Sequence, residues 1–200
     1  MNQEKSVRDR ELLERGLAGN GHSFGELFER HRDRVFRHTF SILSDATAAE
    51  DVTAMVFYEA WRKRSTIRIV DESIIAWLLV TANFTIRNHT RQQRRYRKFL
   101  SQLPEPERGN DLAQDVIDQQ HAEDEGQLIP AAFKMLNAQS RDILTLCVIE
   151  QLSIQQAASV IGVPDGTIKS RLSRAKSKLG QFYSDAVTST VPSLSERCLP

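Results

Sequence analysis

Apolar side chains along most of the chain recur every three or four residues, which is the spacing of one face of a helix. The first run follows this template at Phe24, Leu27, Phe28, His31, Val35 and Phe36. It predicts a helix from about residue 23 to residue 42. Strand-like alternation of apolar and polar residues between turn signals is hard to find. The chain is therefore predicted to be all-α.

Three further elements follow before a break in the pattern. Thr47 and Glu50 have the spacing of a capping box, which predicts the start of a second helix that ends near residues 63 and 64. Residues 65 to 73 are predicted to form a loop. A long helix from residue 74 to about residue 99 carries Trp77, which we interpret as a core residue because it has helical spacing with Leu78.

The run LPEPERGND at residues 103–111 contains two prolines and a glycine, so it ends the long helix and marks a boundary. Behind it, apolar spacing predicts a helix from residue 128 to 136, another from 143 to 149, and two shorter ones. The chain then divides into an N-terminal tail (1–14), a helical domain (15–100), a flexible acidic linker (101–127), a second helical domain (128–180) and a C-terminal tail (181–200). Such a linker would not require the two domains to touch.

The net charge of +1 conceals three blocks of opposite sign. Residues 73–104 contain no Asp or Glu and form a basic arm in their second half. Residues 105–126 are strongly acidic, and a second basic block runs from residue 169 to residue 178. Two cationic surfaces separated by an acidic segment predict two contacts with a polyanion such as nucleic acid.

The sharpest local signal is a predicted helix-turn-helix over residues 153–179. Ser153 can cap the first helix, Gly162 permits a left-handed turn, and Pro164 with Asp165 can begin the second helix. That helix would bury Ile168 and leave five residues at outward or first-turn positions, from which they could reach bases and phosphates: Thr167, Lys169, Ser170, Arg171 and Arg174. The alternative is a solvated basic helix on an ordinary three-helix core.

Several classes of function find no support in the sequence. No apolar run approaches the roughly 20 residues that span a bilayer, and the first residues are too charged for a signal peptide, so we expect a cytoplasmic protein without membrane insertion. The histidines lack ligand spacing, and the cysteines at 147 and 198 are far apart, so we expect no metal or other cofactor. The glycine-rich run GLAGNGHSFG is predicted to be a flexible loop, because it lacks the Lys-Ser or Lys-Thr pair of a P-loop.

The run GVPDGTIKSRLSRAKSKL resembles the −35-reading helix in region 4 of bacterial sigma factors of the extracytoplasmic-function type. Upstream, FGELFERHRDRVF and AAEDVTAMVFYEAW resemble regions 2.1 and 2.2 of that family, and AWLLVTANFTIRNHTRQQRR resembles regions 2.3 and 2.4. These runs occur in the family's order and cover roughly residues 23 to 180. The sequence departs from many members at Ala54, Met55 and Phe84, where glutamine, glutamate and asparagine are frequent.

The resemblance implies a transcription initiation factor without catalytic activity. It implies that Glu50, Asp51 and Glu59 bind the β′ clamp helices of core RNA polymerase, and that the β flap of the polymerase is a further contact. It implies that the five helix-turn-helix residues bind the −35 element. The loop 65–73 and the following helix would read and open the −10 element of promoter DNA, through Asn83, Arg87, Asn88, Arg91, Arg94 and Arg95. An anti-sigma factor would be the usual regulator.

Two other functions stay open on the residues alone. A stand-alone helix-turn-helix repressor would need region 4 but not the upstream runs. An enzyme acting on nucleic acid is a more distant alternative, because the sequence shows no metal-ligand cluster and no acid-base pair.

Overall fold

The computed structural model describes residues 8–101 and 125–190. The helices are α1 (Asp9–Leu17), α2 (Gly21–Leu43), α3 (Ala46–Arg62), α4 (Ile75–Leu100), α5 (Glu125–Met135), α6 (Ala138–Leu144), α7 (Ile154–Ile161) and α8 (Asp165–Thr190), with a π-helical turn at Thr145–Ile149. An isolated bridge between Val70 and Ser73 is the one β-type pairing in these ranges. The all-α prediction is confirmed.

Helices α1 to α4 form the N-terminal unit around one apolar core. Leu12 of α1, Leu27 of α2, Val52 of α3 and Leu78 of α4 are fully buried in it. The predicted tail over residues 1–14 is therefore wrong from Asp9 onward, because the buried leucines of α1 anchor it in the core. The glycine-rich run is also mostly helical, since only residues 18–20 separate α1 from α2. Trp77 packs against this core, as predicted.

The start of α3 differs from the predicted capping box. Ser44 takes a left-handed conformation with φ of 55°, and this turn places Asp45 at the N-cap. An Asp45 side-chain oxygen then accepts a hydrogen bond from the Ala48 backbone N–H at 3.0 Å. Thr47 lies one residue inside the helix, so it cannot cap it. Aspartate is an equally good N-cap, which explains why the helix itself was predicted correctly.

Helices α5 to α8 form the C-terminal unit around Leu136, Ile143, Ala157, Ile168 and Ala175. The predicted helix over residues 143–149 is instead the end of α6 followed by the π-helical turn. Helix α8 is not short, because it continues to Thr190 and includes half of the segment predicted as a C-terminal tail. Phe182 packs on this core and extends it beyond the helix-turn-helix.

A third apolar cluster joins the two units. Ala76, Leu79 and Val80 of α4 are buried against Leu146, which lies in the π-helical turn, and Leu152, which follows it. The two units therefore pack against each other, although the sequence did not require them to touch. The physical reason is that α4 is apolar on two faces, one toward its own core and one toward the C-terminal unit.

Candidate nucleic-acid interface

Local hydrogen bonds build the helix-turn-helix from the residues that the sequence singled out. The Gln156 backbone N–H donates to Ser153 Oγ at 3.0 Å, and the Ser153 N–H donates to Gln156 Oε1 at 2.7 Å, which completes a capping box at the start of α7. Gly162 ends α7 with φ of 79°, a conformation that favours glycine. The N–H groups of Gly162 and Val163 both donate to the Ala158 carbonyl oxygen. The predicted turn is confirmed.

The first turns of α8 present a polar face opposite their buried residues. Ile168 and Ala175 are fully buried, as predicted. Lys169, Ser170 and Arg174 are exposed, while Thr167 and Arg171 are half-buried. The Arg174 guanidinium donates to the Ser170 carbonyl oxygen at 3.2 Å and so lies along the helix. All five predicted residues thus share the first three turns of one helix.

The basic arm forms the last turns of α4, where every residue from 91 to 100 is exposed. Arg91, Arg94 and Arg95 lie on this segment, and Asn88 is exposed one turn earlier. Tyr96 is 63% exposed among the arginines. An exposed aromatic ring beside cationic side chains can stack on a nucleobase. Tyr96 was not among the predicted site residues, although the sequence places it directly between arginines.

Two residues predicted to contact the −10 element instead bind other side chains of the protein. Asn83 is 3% exposed, and its Oδ1 lies 2.8 Å from His38 Nε2. The predicted contact of Asn83 with DNA therefore does not fit this structure, because the side chain is buried. It shares a face of α4 with buried Leu79 and Ile86, and from there its side chain reaches His38 of α2. Arg87 forms a 2.8 Å ion pair with Asp142 of the C-terminal unit. Burial raises the pKa of Asp142 despite this ion pair.

The loop before α4 is tied to the core by one buried carboxylate. Asp9 accepts hydrogen bonds from Ser73 Oγ at 2.7 Å and from the Ile74 N–H at 3.0 Å. It also contacts Arg30 at 2.7 Å and His31 Nε2 at 2.6 Å. Burial acts to raise the pKa of Asp9, but the hydrogen bonds from His31, Ser73 and Ile74 hold it well below its usual range. Asp9 lay in the predicted tail, so its role was not predicted from the sequence.

Helix α7 lies against the same loop. Arg68 Nη1 donates to the Ser159 carbonyl oxygen at 2.5 Å. Gln156 Nε2 donates to Asp71 Oδ2 at 2.6 Å. Asp71 and Glu72 have φ of 50° and 60°, so a sharp left-handed turn presents the Asp71 carboxylate to α7. The loop predicted to read DNA is thus bound by the first helix of the helix-turn-helix.

The residues predicted to bind the polymerase lie along α3. Glu50 and Asp51 are exposed in its first turns. Glu59 is held by Arg62 at 2.8 Å and Lys63 at 3.3 Å, and the hydrogen bond from Arg62 lowers its pKa. Beside them a groove of about 490 Å³ is lined by residues that include Met55, Tyr58 and Phe84. Two of the three departures from the family pattern, Met55 and Phe84, therefore meet in one groove.

Residues 8–101 and 125–190 hold no group of three or more His, Cys, Asp or Glu side chains that could bind a metal ion. No helix in these ranges is long and apolar enough to cross a membrane.

Two family profiles match the chain in order. The profile described as Sigma-70 region 2 matches residues 27–96, and the one described as Sigma-70, region 4 matches residues 126–179. Together they cover more than half of the chain. The sequence-based resemblance to regions 2 and 4 is confirmed.

Curated relatives carry the same description. The ECF RNA polymerase sigma factor BldN of Streptomyces coelicolor is 28% identical over 182 residues, which are 90% of this chain and 67% of that protein. The ECF RNA polymerase sigma factor SigL of Mycobacterium tuberculosis is 28% identical over 146 residues, with 73% of this chain and 80% of that protein covered.

Solved structures share the fold. CnrH in complex with the cytosolic domain of CnrY matches with a TM-score of 0.60 at 23% identity, covering 88% of this chain and 97% of that one. The sigma factor RpoE of Bartonella quintana, in complex with the anti-sigma factor NepR, matches with a TM-score of 0.55 at 21% identity, covering 80% and 96%.

Proposed function

Since this chain belongs to the extracytoplasmic-function sigma factors, we propose that it binds core RNA polymerase and directs transcription initiation at promoters with defined −10 and −35 elements. The observation that carries the proposal is the pair of cationic surfaces, one on the end of α4 and one on the start of α8. Each lies on a helix that a family profile covers at least in part. The protein then acts in the cytoplasm, where polymerase and chromosome are, and catalyses no reaction of its own.

Helix α8 is the proposed reader of the −35 element. Lys169 and Ser170 project from its first turns into solvent, and Arg171 lies beside them half-buried. A helix that offers such side chains from its N-terminal turns fits the major groove, where arginine and lysine hydrogen-bond to guanine and to phosphates. Thr167 and Arg174 complete this surface.

The end of α4 is the proposed contact with the −10 element. Arg91, Arg94 and Arg95 can hold backbone phosphates of a separated strand, with Asn88 and the loop 65–73 beside them. Arg87 belongs to this group once its ion pair with Asp142 is broken. Opening DNA costs a few kcal/mol for even one flipped base, so a cationic, partly aromatic surface suits the task.

The proposed polymerase contact is the acidic face of α3 with Glu50, Asp51 and Glu59, which would meet the β′ clamp helices, while the C-terminal unit meets the β flap. An anti-sigma factor is the expected regulator, because RpoE of Bartonella quintana, which shares this fold, was solved with one. Both partners are inferred from the family.

Run-off transcription with purified core polymerase tests the proposal. Transcripts should require both the protein and core enzyme, and should fall about tenfold or more when Arg91, Arg94 and Arg95 are changed together to alanine, since three phosphate contacts are lost. The matched control changes the exposed Arg15, Arg32 and Arg37 of α1 and α2 to alanine and removes the same charge. Tight, sequence-specific binding by the protein alone, without transcription when core is added, would instead support a repressor.

A further inference from the structure

We propose that the first turn of α1 is part of the −10 reader although it does not touch DNA. Asp9, in this turn, is a positioning residue. It holds the end of the loop 65–73 against the start of α4 and so sets the preference for −10 bases. This inference rests on the proposed function, because it assigns a further residue to that same site. Asp9 lies outside residues 27–96, the segment that the Sigma-70 region 2 profile matches.

The loop ends in a tight turn over residues 70–73 that its own sequence does not favour. The Val70 N–H donates to the Ser73 carbonyl oxygen at 3.2 Å, and the Ser73 N–H donates to the Val70 carbonyl oxygen at 3.1 Å. Between them, Asp71 and Glu72 have φ of 50° and 60°. Turns with two left-handed central residues usually have glycine at the second, where this chain has Glu72. Contacts from outside the turn must therefore help to hold it.

Asp9 supplies such contacts and joins the turn to α4. Its Oδ2 accepts hydrogen bonds from Ser73 Oγ at 2.7 Å and from the Ile74 N–H at 3.0 Å. Ser73 Oγ in turn accepts a hydrogen bond from the Ile75 N–H at 3.3 Å. The N–H groups at the start of a helix have no partner within it, and a negative charge is favoured there. Asp9 and the serine that it holds thus complete the start of α4.

Asp9 can position the turn because its own place is fixed. Its side chain contacts Arg30 at 2.7 Å and His31 Nε2 at 2.6 Å. Leu12 and Leu13, which follow it in α1, are buried in the core. Hydrogen bonds to a charged acceptor are stronger than neutral ones, and burial shields them from water. The turn therefore takes its position from a buried, rigidly held group.

Other contacts of this turn among the described residues are weaker or come from the C-terminal unit. The ion pairs of Glu72 with arginines of α1 are 3.9 and 3.7 Å long and join exposed side chains, so they contribute little. Gln156 of α7 donates to the Asp71 side chain. Asp9, by contrast, lies in the same unit as the loop. It therefore holds the turn without help from the C-terminal unit.

The position of the turn matters for reading because α4 starts directly after it. The loop 65–73 and α4 are the proposed contacts of one separated strand, so their relative position decides which base each can reach. A displaced turn would weaken the contacts that distinguish one base from another, while the arginines at the end of α4 would still hold phosphates. Contacts with phosphates carry no sequence information. Loss of Asp9 should therefore lower selectivity among −10 sequences.

The test measures selectivity, because a merely structural role would not change it. Run-off transcription with core polymerase uses a promoter that the unchanged protein transcribes, and a panel in which single −10 base pairs are changed. Asp9→Asn removes the charge and replaces one acceptor oxygen, whereas Ser73→Ala removes the hydroxyl and leaves Asp9 in place. Val52→Ala, which shortens a fully buried side chain of α3, is the control for lost stability.

For Asp9→Asn, we expect the ratio of transcription between the promoter and the changed promoters to fall about fivefold or more at one or more −10 positions, which is the value of one base contact. Ser73→Ala should give a smaller fall of the same sign, and Val52→Ala should keep every ratio. Amide hydrogen exchange at Ile74 should become about tenfold faster in Asp9→Asn, because a hydrogen bond to a charged group is lost. Faster exchange with unchanged ratios would overturn the inference.

The failures of the two proposals are distinguishable. No transcript from the unchanged protein with core enzyme would overturn the proposed function. Transcription by the unchanged protein, with an equal loss at every promoter for Asp9→Asn, would show that Asp9 is only structural and would overturn this inference alone. Circular dichroism shows whether each variant keeps its helices. If Asp9→Asn loses helix, the result for Ser73→Ala decides, since that variant keeps the buried carboxylate.

Discussion

A single carboxylate, Asp9, joins three parts of the N-terminal unit. Its two oxygens contact Arg30 and His31 of α2, and they accept hydrogen bonds from Ser73 and Ile74 at the start of α4. Because Asp9 is 3% exposed, each of these groups replaces water that the carboxylate has lost. The residue therefore fixes both α1 and the end of the loop 65–73.

Asp9→Asn should destabilise the protein by about 2–3 kcal/mol, because it removes the charge opposite Arg30 and leaves buried donors unsatisfied. Chemical denaturation followed by circular dichroism measures the change in the free energy of unfolding. Asp33→Asn, whose side chain is 82% exposed, is the matched control and should change stability by less than about 0.5 kcal/mol. Equal effects of the two variants would show that the buried network adds nothing.

The depressed pKa of Asp9 also predicts a pH dependence. The unfolded chain takes up a proton at about pH 3.9, whereas the folded carboxyl resists protonation to lower pH. The stabilisation by Asp9 is thus fully present above that pH and is lost as the pH falls toward the folded pKa, with Arg30 and His31 as the facing charged groups. Acid unfolding of Asp9→Asn, compared with the unchanged protein, should show a smaller loss of stability below pH 4.

At the scale of the element, a glycine in a turn and a glycine inside a helix should respond to the same substitution with opposite signs. Gly162 has φ of 79°, whereas Gly180 lies within α8, and a Cβ on either would meet open space. Gly162→Ala should cost about 1 kcal/mol in a left-handed conformation, and Gly180→Ala should gain up to about 1 kcal/mol of helix stability. Thermal unfolding of both variants measures the two shifts, and a shift of the same sign would contradict the assigned turn.

The reading face of α8 permits a second test at this scale. Lys169→Ala or Arg171→Ala should cost about 1–3 kcal/mol and relax preference at one −35 position if the side chain contacts a base edge, and should weaken all sequences alike if it contacts a phosphate. The measurement is binding of the holoenzyme to a panel of −35 variants. Lys178→Ala, two turns farther along α8, is the control. No change from either of the first two variants would mean that the reading helix is assigned wrongly.

The elements were largely predictable from the sequence, because helix periodicity and turn residues act locally. The turn at Gly162 and the long helix α4 could be predicted because each depends on residues that are close in sequence. Asp9, and Glu150 with its contacts to Arg34 and His38 of α2, could not be found in this way, since their partners are 21 to 116 residues distant in sequence. Asn83 was misassigned for the same reason, because its burial depends on His38 of another helix.

At the scale of the whole molecule, the contact between the units predicts the behaviour of a cleaved chain. The acidic segment 105–126, nearly all of which lies outside the described residues, is the interior part that we expect proteases to cut first, because its sequence has a proline and few large apolar residues. The two fragments should then elute together in size-exclusion chromatography at high concentration and separate on dilution. Glu150→Ala should separate them at a higher concentration. Independent elution at every concentration would show that the contact needs the intact chain.

Because one chain supplies both sides of the contact around Glu150, its strength does not depend on how much protein the cell makes. Dilution cannot open an intramolecular contact, and overproduction cannot saturate it, whereas a separate inhibitory protein is exhausted once its target is in excess. The fraction of molecules in which this contact is formed is therefore independent of the protein concentration. Output controlled by this contact alone would rise in proportion to expression, with no threshold, and a cell that needs a threshold would have to encode it in a second gene.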